Sequence, residues 1–508
     1  MPTKEDAQLY MNLLARCLKI VDEFPGAFNE INSILHYSEV ADEIFNLMNT
    51  LWEQGIQAFL FHVLHLLNEI ENQEDVSVKF IKAFEICKWM DMRITYLLQH
   101  DAATEFSLWP LIPLCRDKFI KTGALNTNYK DTKIWINPKF EILSTYTRIN
   151  GEEKQKRIAN RDIFENANGH LLHCSYIRWD GRHEVVNIII PNDSIIEKNN
   201  DILRIAFAPL SDNKKLLETE DISIIRNGIE KAGINVRCVG DAEILRERIC
   251  NDWTLACDRE ADILFMPELI GTEDSERSSN GYNENILQLS MAALSEGKAT
   301  PCITALPSYW DEGENHVSIL YQDGKILGTQ EKHVPYVDEK NHVVEALKEK
   351  IPWKTVLLHI PYVQRIAIVI CAEFLASQSE HIYEFICGEL GATLILVPSY
   401  SRGEQDFINV LSGLKSYGAT VIWGNCCGAI RSEEKGIGGY GLAGTQHAVV
   451  FGDYCECGNS CDDIKACLFE IDIPLKYEVK KIGNRKDINI VRHIIKQKRY
   501  GSRDEYER

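Results

Sequence analysis

The chain has 508 residues, 45% hydrophobic and 26% charged, ordinary proportions for a globular protein of two or three domains. A net charge of −20 argues against a surface that grips nucleic-acid phosphates irrespective of sequence, because lysine and arginine drive such binding. The opening Met1-Pro-Thr-Lys-Glu-Asp has no basic region feeding an apolar one, and the most apolar helical run, residues 56–67, is too short to span a bilayer.

Taken from the start, residues 4–24, 38–70 and 76–100 carry apolar side chains at helical spacing, as in Leu13, Leu14, Cys17, Leu18 and Val21. Pro25-Gly26 and the polar residues 72–75 break these helices, and Trp109-Pro-Leu-Ile-Pro113 ends the helical part. His62 and His65 lie one helical turn apart and read as helix-face residues. Between 133 and 191 the pattern changes to short strands, among them Ile134-Trp-Ile136 and Val185-Val-Asn-Ile-Ile-Ile190, interrupted by the charged residues 152–161. A polar connector follows at 192–201. The expected division is a helical module over 1–125, a small mixed or β segment with its connector over 126–200, a main domain over 201–475 and a tail over 476–508.

Within the main domain, three apolar runs end in reactive side chains. Ile263-Leu-Phe-Met leads into Pro267 and Glu268, where proline stops strand pairing. The turn Gln322-Asp-Gly324-Lys predicts a hairpin whose second arm closes on Lys332. Ile366-Ala-Ile-Val-Ile370 leads into Cys371 and then a helix-like stretch through Leu390. Layered α/β folds collect ligands at the carboxyl ends of strands, so the three groups are expected to share one crevice.

A carboxylate, an ammonium and a thiol together make an activated nucleophile. The ammonium and a helix start would both favour the Cys371 thiolate. Attack on a carbonyl or nitrile carbon builds an oxyanion, which Lys332 and the backbone amide of Ala372 would stabilise. Glu268 would accept the thiol proton, hand it to the leaving amine and then activate water. As polar groups at strand ends, Glu268 and Lys332 are expected to matter little to stability. Alone, each residue has a plainer reading: a small buried cysteine, a solvated loop glutamate, an edge lysine. Their joint order favours the catalytic one.

Together with the strings around them, these residues resemble the nitrilase, or carbon–nitrogen hydrolase, superfamily over about residues 202–475. The resemblance begins at Leu203-Arg-Ile-Ala-Phe-Ala-Pro209 and includes the Glu268, Lys332 and Cys371 segments and His316–Gly328. It continues through Gly391-Ala-Thr-Leu-Ile-Leu-Val-Pro-Ser399, Val421-Ile-Trp-Gly-Asn425 and Cys467-Leu-Phe-Glu-Ile-Asp-Ile473. It implies an α/β fold, a four-layer α-β-β-α sandwich, behind a helical and mixed α+β N-terminal module. It also implies Glu268 as base, Lys332 as oxyanion stabiliser and Cys371 as nucleophile, without metal or cofactor. A second glutamate often follows the lysine in the family; Glu339 and Glu345 are candidates, and Glu339 is favoured as nearer in sequence. The chain departs from the family between Gly413 and Thr420, which lacks the usual arginine-and-glutamate signature, and at Gly436-Ile-Gly-Gly-Tyr-Gly441.

The implied activity is hydrolysis of a non-peptide C–N bond through a thioester, with an amide or carbamoyl substrate favoured over a nitrile, in a cytoplasmic enzyme. The rival reading is an interaction protein, sensor or regulated effector whose N-terminal module binds a protein partner. An apolar stripe of Phe374, Ile382, Phe385 and Ile386 predicts a homodimer or larger oligomer. Sixteen cysteines without an export signal are expected to be reduced. Cys455, Cys457, Cys461 and Cys467 match no common zinc spacing, and the resemblance puts Val449-Val-Phe451 and Cys467–Ile471 on adjacent strands. Gly436-x-Gly438-x-x-Gly441 matches a dinucleotide fingerprint only formally, since Arg431-Ser-Glu-Glu-Lys rather than a strand precedes it.

Overall fold

A computed structural model describes residues 4–24, 37–99, 121–123, 125–126, 134–138, 171, 174–178, 183–190, 202–209, 217–226, 229–238, 242–272 and 281–311. It further describes 313–338, 343–348, 352–360, 363–376, 381–401, 405–414, 419–429, 440–444, 449–451, 464–474 and 489–496. The fold is mixed α/β with parallel and antiparallel pairing, in two compact units. The first unit comprises Met1–Asn192, Leu357–Ile366 and Glu380–Thr393; the second comprises Asp193–Val356, Ala367–Ser379 and Leu394–Arg508.

Among the described residues the first unit opens with the helices α1 (Lys4–Asp22), α2 (Tyr37–Glu53), α3 (Ile56–Glu71) and α4 (Val76–Gln99). Leu13, Leu14, Cys17, Leu18 and Val21 of α1 are all fully buried, as their helical spacing requires of a core-facing stripe. They join Met48, Phe59, Leu67, Phe84 and Trp89 in one core. Arg16, otherwise a cost in that core, is held by Asn68 at 2.7 Å and by the Glu71 carboxylate. Short strands follow: β1 (Lys121–Gly123), β2 (Leu125–Asn126), β3 (Ile134–Pro138), β4 (Cys174–Arg178) and β5 (His183–Ile189). Strands β2-β3-β4 form an antiparallel sheet, and β5 lies between β1 and the later strand β16 (Trp353–Ile360).

The second unit begins with β6 (Ile202–Phe207), β7 (Leu217–Arg226), β8 (Ile229–Cys238), α5 (Ala242–Asp258), β9 (Ile263–Phe265), α6 (Gly281–Ser295) and β10 (Ile303–Ala305). Next come β11 (Tyr309–Asp311), β12 (Glu314–Tyr321), β13 (Ile326–Glu331), β14 (Val337–Asp338) and β15 (Val343–Glu345). After β16, strand β17 (Gln364–Ile368) runs into this unit, followed by α7 (Ala372–Leu375), β18 (Leu394–Ser399), α8 (Gln405–Leu414), β19 (Thr420–Asn425), β20 (Tyr440–Gly444), β21 (Val449–Phe451), β22 (Ile464–Pro474) and β23 (Asn489–Lys496).

One sheet has the order β11-β12-β10-β9-β6-β22-β23, with β6, β9 and β10 mutually parallel. Its strands alternate faces. Ala206, Ala208, Leu264 and Met266 pack with Leu245, Ile249 and Trp253 of α5 and Ile286 of α6. On the opposite face the Phe207 ring meets those of Phe265 and Phe469. A second run of strands is ordered β17-β18-β19-β20-β21, with β18 and β19 parallel. Trp423 of β19 stacks on Phe407 of α8 at 4.4 Å between ring centroids, and Phe374 of α7 stacks on Phe407 at 6.1 Å. Gly424, pointing the other way from Trp423, touches Phe207: a Cβ there would lie 2.3 Å from the ring carbon Cε2. Gly424→Ala should therefore overpack this contact and cost about 1–3 kcal/mol in urea denaturation, with a neutral result showing that the two sheets yield there.

Several expectations are corrected. After Cys371 the chain makes only the four-residue α7, and His381–Glu389 is a π-helix rather than a continuation. Phe374, Phe385 and Ile386 are buried within the chain, so these three residues of the expected stripe are core rather than exposed surface. Strand β21 pairs with β20, whereas Cys467–Ile471 belongs to β22 in the other sheet, beside β6. The stretch read as a tail contributes β23, antiparallel to β22. Cys455, Cys457, Cys461, Gly436 and Gly438 lie outside the described residues. Among the described helices none is long and apolar enough to cross a membrane.

Candidate active site

Glu268 stands two residues beyond Met266, whose N–H still bonds the adjacent strand at Ala305 O. The chain then turns sharply. Leu269 has φ +66° and donates its N–H to Ser308 Oγ at 2.8 Å. Lys332 follows the β12–β13 hairpin, whose Gly324 at φ +79° sits where a Cβ would come 2.5 Å from Leu287 Cα. The Lys332 N–H bonds Asn315 O at 2.9 Å, continuing the hairpin ladder one residue past β13. Cys371 N–H reaches Pro398 O at 3.0 Å, so β18 holds the nucleophile's backbone. Cys371 itself has φ +45°, ψ −110°. Only three described non-glycine residues have positive φ, and two of them are Leu269 and Cys371. Such strain persists where the surroundings impose it, and it gathers at working sites.

The side chains converge. Lys332 Nζ donates to Glu268 Oε1 and to Glu345 Oε2, both at 2.7 Å. Asn315 Nδ2 donates to Glu268 Oε1 at 3.0 Å, and Tyr400 N–H donates to Glu268 Oε2 at 3.2 Å. Glu268 also shares a hydrogen bond with the Cys371 thiol. Glu345 Oε2 takes a further N–H, from Tyr336, at 2.7 Å. Glu268, Lys332, Glu345, Cys371 and Asn315 are all buried, none more than 6% exposed.

Burial sets the protonation states. It raises the Cys371 thiol far above its ordinary value, the Glu268 charge adds to this, and Lys332 and the Tyr400 N–H oppose it without prevailing. The resting nucleophile is thus held as a thiol, against the thiolate that an ammonium and a helix start would favour. Burial also raises the Glu268 carboxyl, with Glu345 adding to the effect and Lys332 opposing it. For Lys332, burial favours the neutral amine, but the two glutamates outweigh it and hold the ammonium above its usual range. The arrangement is a thiol beside a base that accepts its proton, with a fixed cation one bond away.

Glu268, Lys332 and Cys371 are thus brought together, and Ala372 opens α7 immediately after the nucleophile. Of the two candidates for a second glutamate, Glu345 bonds Lys332, and Glu339 lies outside the described residues. Glu345 returns because β15 pairs with β14 and β8, which brings its backbone N–H to Tyr336 O at 2.8 Å. Its signal was present in Val343-Val-Glu345, an apolar run ending in a carboxylate as at Glu268. Asn315 and the Tyr400 amide carry no such signal, since one lies inside a strand and the other acts through its backbone. Among the described residues no three His, Cys, Asp or Glu side chains are placed to hold a metal ion.

No protein-family model and no curated protein matches the chain. Among solved structures it is similar to a glutamine-dependent NAD+ synthetase from Acinetobacter baumannii, at 16% identity and TM-score 0.34, over 54% of this chain and 45% of that one. A glutamine-dependent NAD(+) synthetase from Cytophaga hutchinsonii matches at 14% and 0.32, over 58% and 43%. The match therefore spans less than half of either synthetase. An amidase from Nesterenkonia sp. matches at 14% and 0.32, over 54% of this chain and 91% of that one. A mutant form of a Nesterenkonia amidase, from the nitrilase superfamily, matches at 13% and 0.31, over 54% and 90%. Over about half its length the chain is thus similar to solved amidases, one of them described as from the nitrilase superfamily.

Proposed function

We propose that residues 201–475 form a nitrilase-type α-β-β-α hydrolase that cleaves a non-peptide C–N bond. The contacts of Phe207 with Gly424, of Leu264 and Met266 with α5, and of Trp423 with α8 support two facing sheets between helical layers. The hydrogen-bonded chain Cys371–Glu268–Lys332–Glu345, wholly buried, is the observation that carries the chemistry. The thiol proton passes to Glu268 as Sγ bonds the carbonyl carbon. The oxyanion is met by Lys332 and the Ala372 N–H. Glu268 returns the proton to nitrogen, the C–N bond breaks and the amine or ammonia leaves. Glu268 then takes a proton from water, the hydroxyl attacks the thioester, the C–S bond breaks and sulfur regains the proton.

An amide or carbamoyl substrate fits better than a nitrile. Glu345 Oε1 is buried and has no partner among the described residues, and an N–H donor would satisfy it where a nitrile offers none. The test is ammonia release over a library of primary amides, ureides and nitriles, with Cys371→Ala as control. Release confined to N–H-bearing substrates and abolished in Cys371→Ala is expected. Release that survives the substitution overturns the reading, as does silence across the library. A second role, partner binding by the N-terminal helices, is supported by Phe45 and Phe61, which are 46% and 58% exposed on α2 and α3.

A further inference from the structure

We infer that Asn315 is a positioning residue that decides which oxygen of Glu268 carries the proton; this rests on the hydrolase reading above. Asn315 lies on β12 opposite Trp310 of β11 and is 1% exposed. It grips the site twice. Its carbonyl oxygen accepts the Lys332 backbone N–H at 2.9 Å, and its side-chain Nδ2 donates to Glu268 Oε1 at 3.0 Å. Lys332 Nζ donates to that same Oε1 at 2.7 Å. One residue therefore ties together the backbone carrying the ammonium and the carboxylate that takes the proton.

The two oxygens of Glu268 are consequently unequal. A proton placed on Oε1 would face two donors, the Asn315 amide and the Lys332 ammonium, neither of which can accept it there. Oε2 takes the longer bond, from the Tyr400 N–H at 3.2 Å, while the Asn315 amide and the Lys332 ammonium both donate to Oε1. The proton that leaves Cys371 Sγ as the S–C bond forms is thus directed to Oε2, and from there to the departing nitrogen, while Oε1 stays bound throughout. Without the amide donor, Oε1 keeps only the lysine and the carboxylate can swing about it.

The rest of the Asn315 side chain points to the same role. With Nδ2 on the carboxylate, Oδ1 is buried and has no partner among the described residues. A buried acceptor left unmade is costly, and an apolar side chain of the same shape would avoid the cost. What leucine could not supply is the N–H on Oε1.

The test needs no known substrate. The probe is iodoacetamide, and the readout is the pH profile of Cys371 alkylation, followed by peptide mass mapping. The proteins are full-length wild type, Asn315→Asp, Asn315→Leu, Glu268→Gln and the two double variants. Asp keeps the shape of Asn and loses the neutral donor, so it stands in should Leu fail to fold. In both single Asn315 variants the alkylation rate at neutral pH should fall about tenfold or more, the effect of losing a hydrogen bond to a charged group. The acid midpoint of the profile should move up, because the carboxylate has lost a donor. In the Glu268→Gln background the same changes should add nothing. An unchanged rate and midpoint in the Asn315 variants, beside a clear effect of Glu268→Gln, overturns this inference and leaves the hydrolase reading standing. Equal losses in both backgrounds also overturn it, since they mean a merely structural role. No effect of Glu268→Gln itself brings down the underlying reading as well.

Discussion

Lys332→Ala should cut turnover by about two orders of magnitude or more and also lower the stability of the protein at neutral pH. The second effect reverses what position in the sequence suggests, where a lysine at a strand end is an edge charge of little structural weight. Here Lys332 is 5% exposed and is bonded at 2.7 Å to two carboxylates, Glu268 and Glu345, themselves 2% and 5% exposed. Removing the cation leaves two negative charges buried side by side. Breaking a buried ion pair from one partner costs about 3–5 kcal/mol. Loss of the oxyanion cation should reduce turnover by about a hundredfold or more.

The two losses can be separated. Without the ammonium, burial and the neighbouring carboxylate raise the Glu268 carboxyl further, so the folded state holds a proton that the unfolded chain releases near about pH 4.3. Groups raised in this way stabilise the fold below the unfolded value, and that stability is lost as pH rises through the folded value. The deficit of Lys332→Ala against wild type should therefore be small at acid pH and grow toward neutrality. Adding Glu345→Gln removes one of the two charges and should restore part of the stability but none of the turnover. Urea denaturation across pH measures this. A variant as stable as wild type at pH 7 would mean that the three groups are not buried together.

The same contrast shows what could be read from the chain in advance. Strand ends could: the apolar runs before Glu268 and Cys371 and the Asp-Gly turn before Lys332 are local patterns, and local patterns place a residue along its own strand. Burial of those residues could not, because it depends on which strands pair and what covers them. Distance in sequence favours Glu339 over Glu345, yet β15 returns Glu345 to Lys332 through pairing with β14 and β8, which sequence distance does not encode. The same pairing information separates Cys467–Ile471 from Val449–Phe451, which the resemblance puts side by side. The helix expected after Cys371 followed apolar spacing alone. In the structure, Leu390 N–H bonds Phe385 O and Ala392 N–H bonds Ile386 O, wider loops than an α-helix makes. The N-terminal helices were plainer, because Leu13, Leu14, Leu18 and Val21 must face a common core whatever the partners are.

Glu268→Gln should cost turnover about a hundredfold or more, and it should change the shape of the pH profile as well as its height. In the wild type, Cys371 is a thiol well beyond neutrality, so the reactive form is made only when Glu268 is free to take the proton. Burial holds the Glu268 carboxyl above the ordinary glutamate value of about 4.3. Activity should therefore fall as pH drops through that raised value, giving an acid limb displaced toward neutrality. Glutamine cannot accept the proton, so the acid limb should vanish and the residual rate should climb with pH as solvent ionises the thiol directly. Stability should change less than in Lys332→Ala, since Lys332 keeps Glu345 and no charge is left unpaired. Turnover of a confirmed substrate by Cys371→Ala and Glu268→Gln across pH decides between a base and a bystander. An acid limb that persists unchanged in Glu268→Gln assigns the proton to another group and removes Glu268 from the mechanism.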